Sequence, residues 1–225
     1  MGIAENIVKV KARIADAAQR ANRKGECIAL VAVSKTMGVE IIDEALESGI
    51  SIIGENRVQE AKQKHADLKH KAIWHMVGHL QTNKVKNALK IFSLIHSLDS
   101  LHLAEEINKR ANDPVDCLIE VNTSRESSKN GISPADIIEF HDSLTRFDRI
   151  NIRGLMTIGP GWAIEDPEAS RLCFRQLRDL RDQLEQHSGR SFSTLSMGMT
   201  SDFEVAIEEG STMVRIGTAI FGPRN

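Results

Sequence analysis

The chain has 225 residues, 41% of them hydrophobic and 27% charged, which suits a folded globular protein with a sizeable core. Its 29 Lys+Arg against 31 Asp+Glu leave a formal charge of −2, so there is no basic field for a nucleic-acid backbone. No window reaches the roughly 18 to 20 apolar residues that span a bilayer, and Cys27, Cys117 and Cys173 are too scattered for a zinc site or a disulfide framework, so buried thiols in a cytoplasmic protein are expected.

Ile3, Ile7, Val10, Ile14, Ala17 and Ala21 recur at three- and four-residue steps, which predicts an apolar-faced helix over residues 3–23, closed by Gly25. Charges in its first turns exclude an apolar secretory core there. Residues 28–33 form an unbroken apolar run, too short for a typical helix and rich in β-branched side chains, as in a parallel strand buried on both faces. The pattern then alternates: helix 39–48, strand 51–54, helix 57–68, strand 72–77, helix 81–89, strand 91–96 and helix 100–111. Strand 116–121, a polar loop, a helix from Pro134, strand 152–158, helix 167–187, strand 194–197, helix 201–209 and strand 213–216 complete it. Strands alternating with helices pack as a parallel sheet, and eight such units over this length close most economically as an α/β (β/α)8 TIM barrel with an extra N-terminal helix. An open doubly wound sheet is the alternative. No linker rich in Pro, Gly or Ser divides the chain, so residues 1–225 read as one domain.

Such barrels carry their active face at the carboxyl ends of the strands, so polar residues just after each apolar run are the candidates. Lys35 ends the first run, where low dielectric favours a neutral amine able to attack a carbonyl; the plain alternative is a lysine snorkelling out of the strand end. The last two strand ends combine glycines with hydroxyls, in Ser196-Met-Gly198-Met-Thr200-Ser201 and in Arg215-Ile-Gly217-Thr218. Phosphate sites of these barrels lie there: glycine lets backbone amides approach an oxyanion, and Ser and Thr add donors. Ser201-Asp-Phe-Glu204 equally fits a capping box, so Ser201 also reads as a helix cap. Arg215 falls inside a buried strand, where its guanidinium demands an acceptor. A structural carboxylate satisfies that demand, and so does a heteroaromatic ring nitrogen. With an amine for an aldehyde and a cradle for a phosphate, the second choice describes pyridoxal 5'-phosphate.

The segments Ala32-Val-Ser-Lys35, Gly54-Glu-Asn-Arg-Val-Gln-Glu60, Trp74-His-Met-Val-Gly-His-Leu-Gln81, Asn83-Lys84, Leu155-Met156, Leu195-Ser-Met-Gly-Met199 and the stretch from Gly210 to Gly222 occur in one order along the chain. Over essentially its whole length the sequence resembles the pyridoxal phosphate homeostasis protein family. The resemblance implies a barrel like the amino-terminal domain of alanine racemase, of pyridoxal phosphate fold type III. It implies Lys35 as the Schiff-base lysine, the Ser196 to Ser201 and Gly217-Thr218 segments on the phosphate, and Arg215 facing the pyridine nitrogen. Thr200 stands where the family pattern has Ser, and the hydroxyl is kept. The implied role is intracellular vitamin B6 homeostasis, with the cofactor passed to pyridoxal-phosphate-dependent apoenzymes and no catalytic residue. The missing second domain of the racemases implies a monomer.

An arginine partner leaves the pyridine nitrogen largely unprotonated and makes the ring a poorer electron sink. Racemases resembling this barrel draw one acid/base group from a tyrosine, and this chain has none. The alternative function is a pyridoxal-phosphate-dependent amino-acid racemase or decarboxylase using Lys35 and His79. A third, from barrel chemistry alone, is a Schiff-base aldolase with Lys35 and no cofactor.

Of the remaining polar positions, Asn56 reads as a cofactor contact or a turn former, and Met156 as core or as a surface against the ring. His75 and His79 lack the glutamate of a zincin pair, so packing or the cofactor pocket is expected of them and no metal. Lys129 reads as part of a solvated turn, with a second amine at the mouth as the alternative. Arg171, Arg175, Arg178 and Arg181 read as the solvated face of a long helix.

Overall fold

A computed structural model describes residues 2–223; the expected span of 1–225 therefore extends over Met1, Arg224 and Asn225, which lie outside the described residues. Eight parallel strands close into a barrel in sequence order: β1 (Ala29–Val33), β2 (Ile52–Glu55), β3 (Ile73–Met76), β4 (Leu94–Leu98), β5 (Val115–Glu120), β6 (Ile150–Met156), β7 (Thr194–Ser196) and β8 (Met213–Ile216). Around them lie α1 (Ile3–Arg20), α2 (Val39–Glu47), α3 (Val58–Asp67), α4 (Val85–Ala88), α5 (Leu101–Arg110), α6 (Ile137–Leu144), α7 (Arg171–Ser188), α8 (Phe203–Glu208) and α9 (Thr218–Phe221). The TIM barrel with an added amino-terminal helix is thus the observed architecture, and the open sheet is excluded by the β1–β8 pairing.

Side chains alternate along each strand. One set, with Ile53, Ile95, Ile119, Leu155 and Ile216, packs outward under the helices. The other meets inside the barrel, where Val31, Leu94, Leu118, Met156 and Met213 form a separate apolar cluster. Gly154 is required at the β6–β7 contact: its φ is +158°, and a Cβ there would lie 1.8 Å from the carbonyl oxygen of Thr194. Outside the barrel, α1 buries Ile7, Val10, Ile14, Ala17 and Ala18. Asn6 Nδ2 donates to the carbonyl of Ile220 at 2.9 Å, and Arg13 pairs with Glu204 at 2.9 Å, which ties α1 to α9 and α8.

Several local expectations are corrected. The first helix ends at Arg20, and Asn22 rather than Gly25 takes the left-handed conformation (φ 54°); Gly25 instead admits close approach to α1, since a Cβ there would lie 2.9 Å from the Cα of Ala15. The expected strand 91–96 begins only at Leu94, because Ile91 and Phe92 still close helical turns by donating to the carbonyl of Ala88. Helix 81–89 is a 3-10 turn (Thr82–Lys84) followed by the single turn of α4, and α9 was not anticipated. Cys27 is exposed and Cys173 half-buried, so only Cys117 is the buried thiol expected of all three; all are free.

The arginines of α7 do more than face solvent: Arg175 is exposed and Arg171, Arg178 and Arg181 are half-buried. Arg171, Arg175 and Arg178 converge on Glu209, whose carboxylate is 6% exposed, at 3.0, 3.0 and 3.2 Å. Arg171 also holds Glu208, which in turn takes Arg20 of α1. Hydrogen bonds from Arg175 and Arg171 hold Glu209 below its ordinary range against the cost of its burial. The network braces three outer helices at the β8 side of the barrel.

Candidate active site at the barrel mouth

Neighbouring β1 and β8 pair with Val31 opposite Arg215 and Ala32 opposite Ile216. Just past the end of β1, Lys35 sits half-buried in a turn with Ser34 and Thr36. Beside it β8 leads through Gly217 into α9, so the Lys35 turn, Arg215 and Gly217-Thr218 share one corner of the mouth. Backbone pairing in α9 starts with the amides of Ile220 and Phe221, which donate to Gly217 at 2.9 and 3.0 Å. It leaves the amide of Thr218 for another acceptor, and the amide of Ala219 is 3.4 Å from Thr200 Oγ1. That contact brings the β7 loop against the β8 loop, with Thr200 and Ser201 half-buried and Thr218 exposed at the rim.

Gly198 has φ +95°, and a Cβ there would lie 2.6 Å from the Cβ of Ala206 and 2.8 Å from the Cα of Phe203. The residue must be glycine for α8 to start this close to the strand end. The capping box at Ser201 does not form: α8 begins at Phe203, its N-cap is Asp202, and Asp202 accepts from the amide of Met199 at 2.7 Å and from Ser170 Oγ at 2.7 Å. Asn56 is half-buried beyond β2, its backbone packed so closely on Gly78 that a Cβ there would lie 2.8 Å from it. Met156 is buried inside the barrel, in register with Ser196 on one side and Glu120 on the other.

Beneath the rim the barrel interior carries a connected polar chain. Arg215 is buried; its Nη1 donates to Ser196 Oγ at 2.7 Å and its Nη2 to the carbonyl of Thr157 at 2.8 Å. Ser196 Oγ is 3.0 Å from His96 Nδ1, and His96 Nε2 is 3.1 Å from His75 Nδ1. Ser196 is therefore one layer below the rim hydroxyls, held between Arg215 and His96. A guanidinium only donates, so Ser196 accepts from it; with the Ser196 proton turned to His96 Nδ1, His96 Nε2–H donates to His75. That assignment places the Ser196 hydroxyl proton and the His96 Nε2–H and leaves the His75 Nε2–H outside the chain. It requires neutral imidazoles, and burial supplies them: it lowers His75 to about 4 and His96 well below its ordinary value. Arg215 is lowered to about 10 by the same burial, opposed by Asp202 and Glu120.

Glu120, at the end of β5, is a buried carboxyl within the field of Arg215 that sequence reasoning missed. Burial, and then Asp99, raise its carboxyl to about 7 against the attraction of Arg215. The sign of the pH dependence follows. Between about pH 4.5 and 6.5 the unfolded chain protonates His75 and His96 while the barrel keeps them neutral, so these histidines add stability as pH rises. Glu120 acts oppositely, bound to its proton when folded and ionised when unfolded. His141 and Glu55 contribute equally to every variant, so differences isolate the interior groups. Glu120→Gln should steepen the rise, and His75→Gln should flatten it, each by about 1.4 kcal/mol per pH unit, read from urea melts of cofactor-free protein across that window.

His79 is at the exposed rim, its Nδ1 3.0 Å from Asp99 Oδ2. Lys129 belongs neither to a solvated turn nor to an open amine: Nζ donates to the Gly159 carbonyl at 2.6 Å, to Glu126 at 2.7 Å and to Ser124 at 3.3 Å, joining the β5 and β6 loops. Among the described residues no group of three or more His, Cys, Asp or Glu is placed to hold a metal ion, and no helix is long and apolar enough to cross a membrane.

The family described as alanine racemase, N-terminal domain, matches residues 6–225. The pyridoxal phosphate homeostasis protein of Aquifex aeolicus (strain VF5) is 46% identical over 228 residues, which cover 100% of this chain and 99% of that protein. The structure of PipY from Synechococcus elongatus with PLP bound is 33% identical with a TM-score of 0.84, over 98% of this chain and 100% of that one. Alanine racemase from Clostridium difficile 630, at 15% identity and a TM-score of 0.76, shares the fold; the match covers 99% of this chain and 57% of the racemase.

Proposed function

The chain belongs to the pyridoxal phosphate homeostasis protein family, and from that premise we propose that it binds pyridoxal 5'-phosphate at the β1–β8 corner of the barrel mouth, linked to Lys35. The pairing of Val31 with Arg215 carries this reading, because it gathers an amine, a guanidinium and a hydroxyl-bearing glycine turn into one place. The donor set fits the cofactor's three polar handles. When bound, the cofactor supplies an aldehyde that a primary amine captures as a Schiff base, with loss of water, and a ring that takes up charge. Lys35 provides the amine; Gly217, Thr218, Thr200, Ser201 and Gly198 form the phosphate cradle; Arg215 donates to the ring nitrogen, and Asn56 and Met156 flank the ring. Ser196 acts through Arg215, as the acceptor that orients it. The whole chain, residues 1–225, then works as one cofactor-binding domain, as a monomer in the cytoplasm, keeping the free aldehyde low and passing the cofactor to apoenzymes without racemase or decarboxylase turnover of its own.

The test is the absorption of the protein loaded with pyridoxal phosphate, followed by borohydride reduction and peptide mapping. The expected result is a visible band that reduction removes, with the pyridoxyl group fixed on Lys35. A modified peptide that lacks Lys35 overturns the assignment. Thr218→Val should weaken binding by about 1.5 to 3 kcal/mol, the value of one hydrogen bond to a charged group, with the melting temperature unchanged.

A further inference from the structure

Lys35 lies between two residues that one buried cluster holds. Lys64, on α3, is 6% exposed, and its Nζ donates at 2.7 Å to each of three acceptors: the Ser34 carbonyl, Glu55 Oε1 and Glu60 Oε1. An ammonium has three protons, and all three are used. Ser34 Oγ donates to Glu55 Oε1 at 2.6 Å, and the Thr36 amide donates to Glu60 Oε1 at 2.5 Å. Thr36 has φ 69°, a left-handed conformation that a β-branched residue adopts only where its surroundings impose it.

The cluster is poorly built for stability alone. It sets two carboxylates against one ammonium, and Glu55 Oε2 is buried without a hydrogen-bond partner. Burial lifts the Glu55 carboxyl above its ordinary range even with Lys64 and Ser34 attached. Well-packed apolar side chains of similar volume would satisfy the same space at lower cost. A local rule broken this deep in the molecule points to a task other than packing.

We propose that Lys64, Glu55 and Glu60 are positioning residues for Lys35, clamping the backbone on both sides of it so that its amine is presented at the barrel mouth. The inference rests on Lys35 being the attachment lysine. Glu55 fixes Ser34 from below through the side-chain hydroxyl, Lys64 fixes the Ser34 carbonyl, and Glu60 fixes the Thr36 amide. None of the three has to touch the cofactor.

The experiment compares equilibrium affinities for pyridoxal 5'-phosphate and for pyridoxine 5'-phosphate, which carries an alcohol in place of the aldehyde and so cannot join an amine. The ratio of the two affinities measures what Lys35 adds, and Lys35→Ala sets its floor. Lys64→Met and Glu60→Ala should each lower the ratio about tenfold, while affinity for pyridoxine phosphate stays at the wild-type value. Glu60→Gln keeps an acceptor oxygen and should restore most of the ratio. The Glu60 side chain is 23% exposed, so Glu60→Ala decides the matter even if Lys64→Met does not fold. Folded variants with an unchanged ratio, or with both ligands weakened alike, overturn the clamp and leave the Lys35 assignment standing. A wild-type ratio already equal to that of Lys35→Ala overturns the Lys35 assignment, and the clamp with it.

Discussion

Arg215→Met should destabilise the cofactor-free barrel by about 3 kcal/mol, the loss expected when two buried hydrogen bonds from a charged group disappear and part of the desolvation cost of that charge is recovered. The two bonds go to Ser196 Oγ and the Thr157 carbonyl, and both acceptors are buried with no water-facing side. Methionine fills much of the volume, so little of the effect is cavity. Arg215→Lys keeps the charge, but a single ammonium does not reproduce a fork that spans two acceptors, and it should recover only part of the loss. The substitution has a second signature. Arg215 is the group that draws the Glu120 carboxyl down toward about 7, so Arg215→Met should move Glu120 higher still, measurable by carbon NMR titration. A stable Arg215→Met protein with an unmoved Glu120 would show that the interior chain is not electrostatically connected as described.

The legibility of this molecule in its sequence divides along the same line as its chemistry. Elements that bury one continuous apolar run were readable: residues 28–33 and 213–216 fall within one residue of β1 and β8, and that pairing sets the Lys35 turn beside the strand that carries Arg215. The failures are where backbone pairing overrides composition. Ile91 and Phe92 look like the start of a strand, but they finish the turn of α4 and pack against the outer core. The interior chain was not readable because its members are scattered. His75, His96, Glu120 and Ser196 come from four strands and share only an inward parity, and a histidine in an apolar run carries no mark of what it will face. The clue that was available is cost: each is a polar side chain inside a buried strand, as Arg215 is, and each therefore required a partner. The same test, applied to Glu55 and Lys64, singles out the clamp under the Lys35 turn. The arginines of α7 failed for the opposite reason. Their spacing matches a solvated face, and only the placement of Glu209 by the short α8 turns that half-exposed face into a brace.

Amino acids incubated with the pyridoxal-phosphate-loaded protein in deuterated water should come back with their α-hydrogen in place and their chirality unchanged. Exchange of an amino acid onto the bound aldehyde needs only an amine and an open mouth, and the exposed Thr218 rim provides the opening. Removing the α-proton demands more: a base on one face, an acid on the other, exclusion of water, and a ring that accepts charge. Lys35 supplies at most one face. The sequence has no tyrosine for the other. Burial keeps His75 and His96 neutral, and the nitrogens that face each other and Ser196 are committed there. His79 stands at the rim bound to Asp99, open to water. In the proposed site Arg215 would donate to the ring nitrogen, leaving it without a proton and the ring a weak sink. Mass spectrometry of the recovered amino acid reads the first quantity, and separation of enantiomers the second. Cofactor-dependent deuterium uptake at enzyme-like rates, lost in Lys35→Ala and again in His79→Gln, would overturn the binding-protein reading and make Lys35 and His79 an acid/base pair. Uptake lost in Lys35→Ala alone would mean that one amine serves both faces, with the second proton delivered by solvent through the open rim.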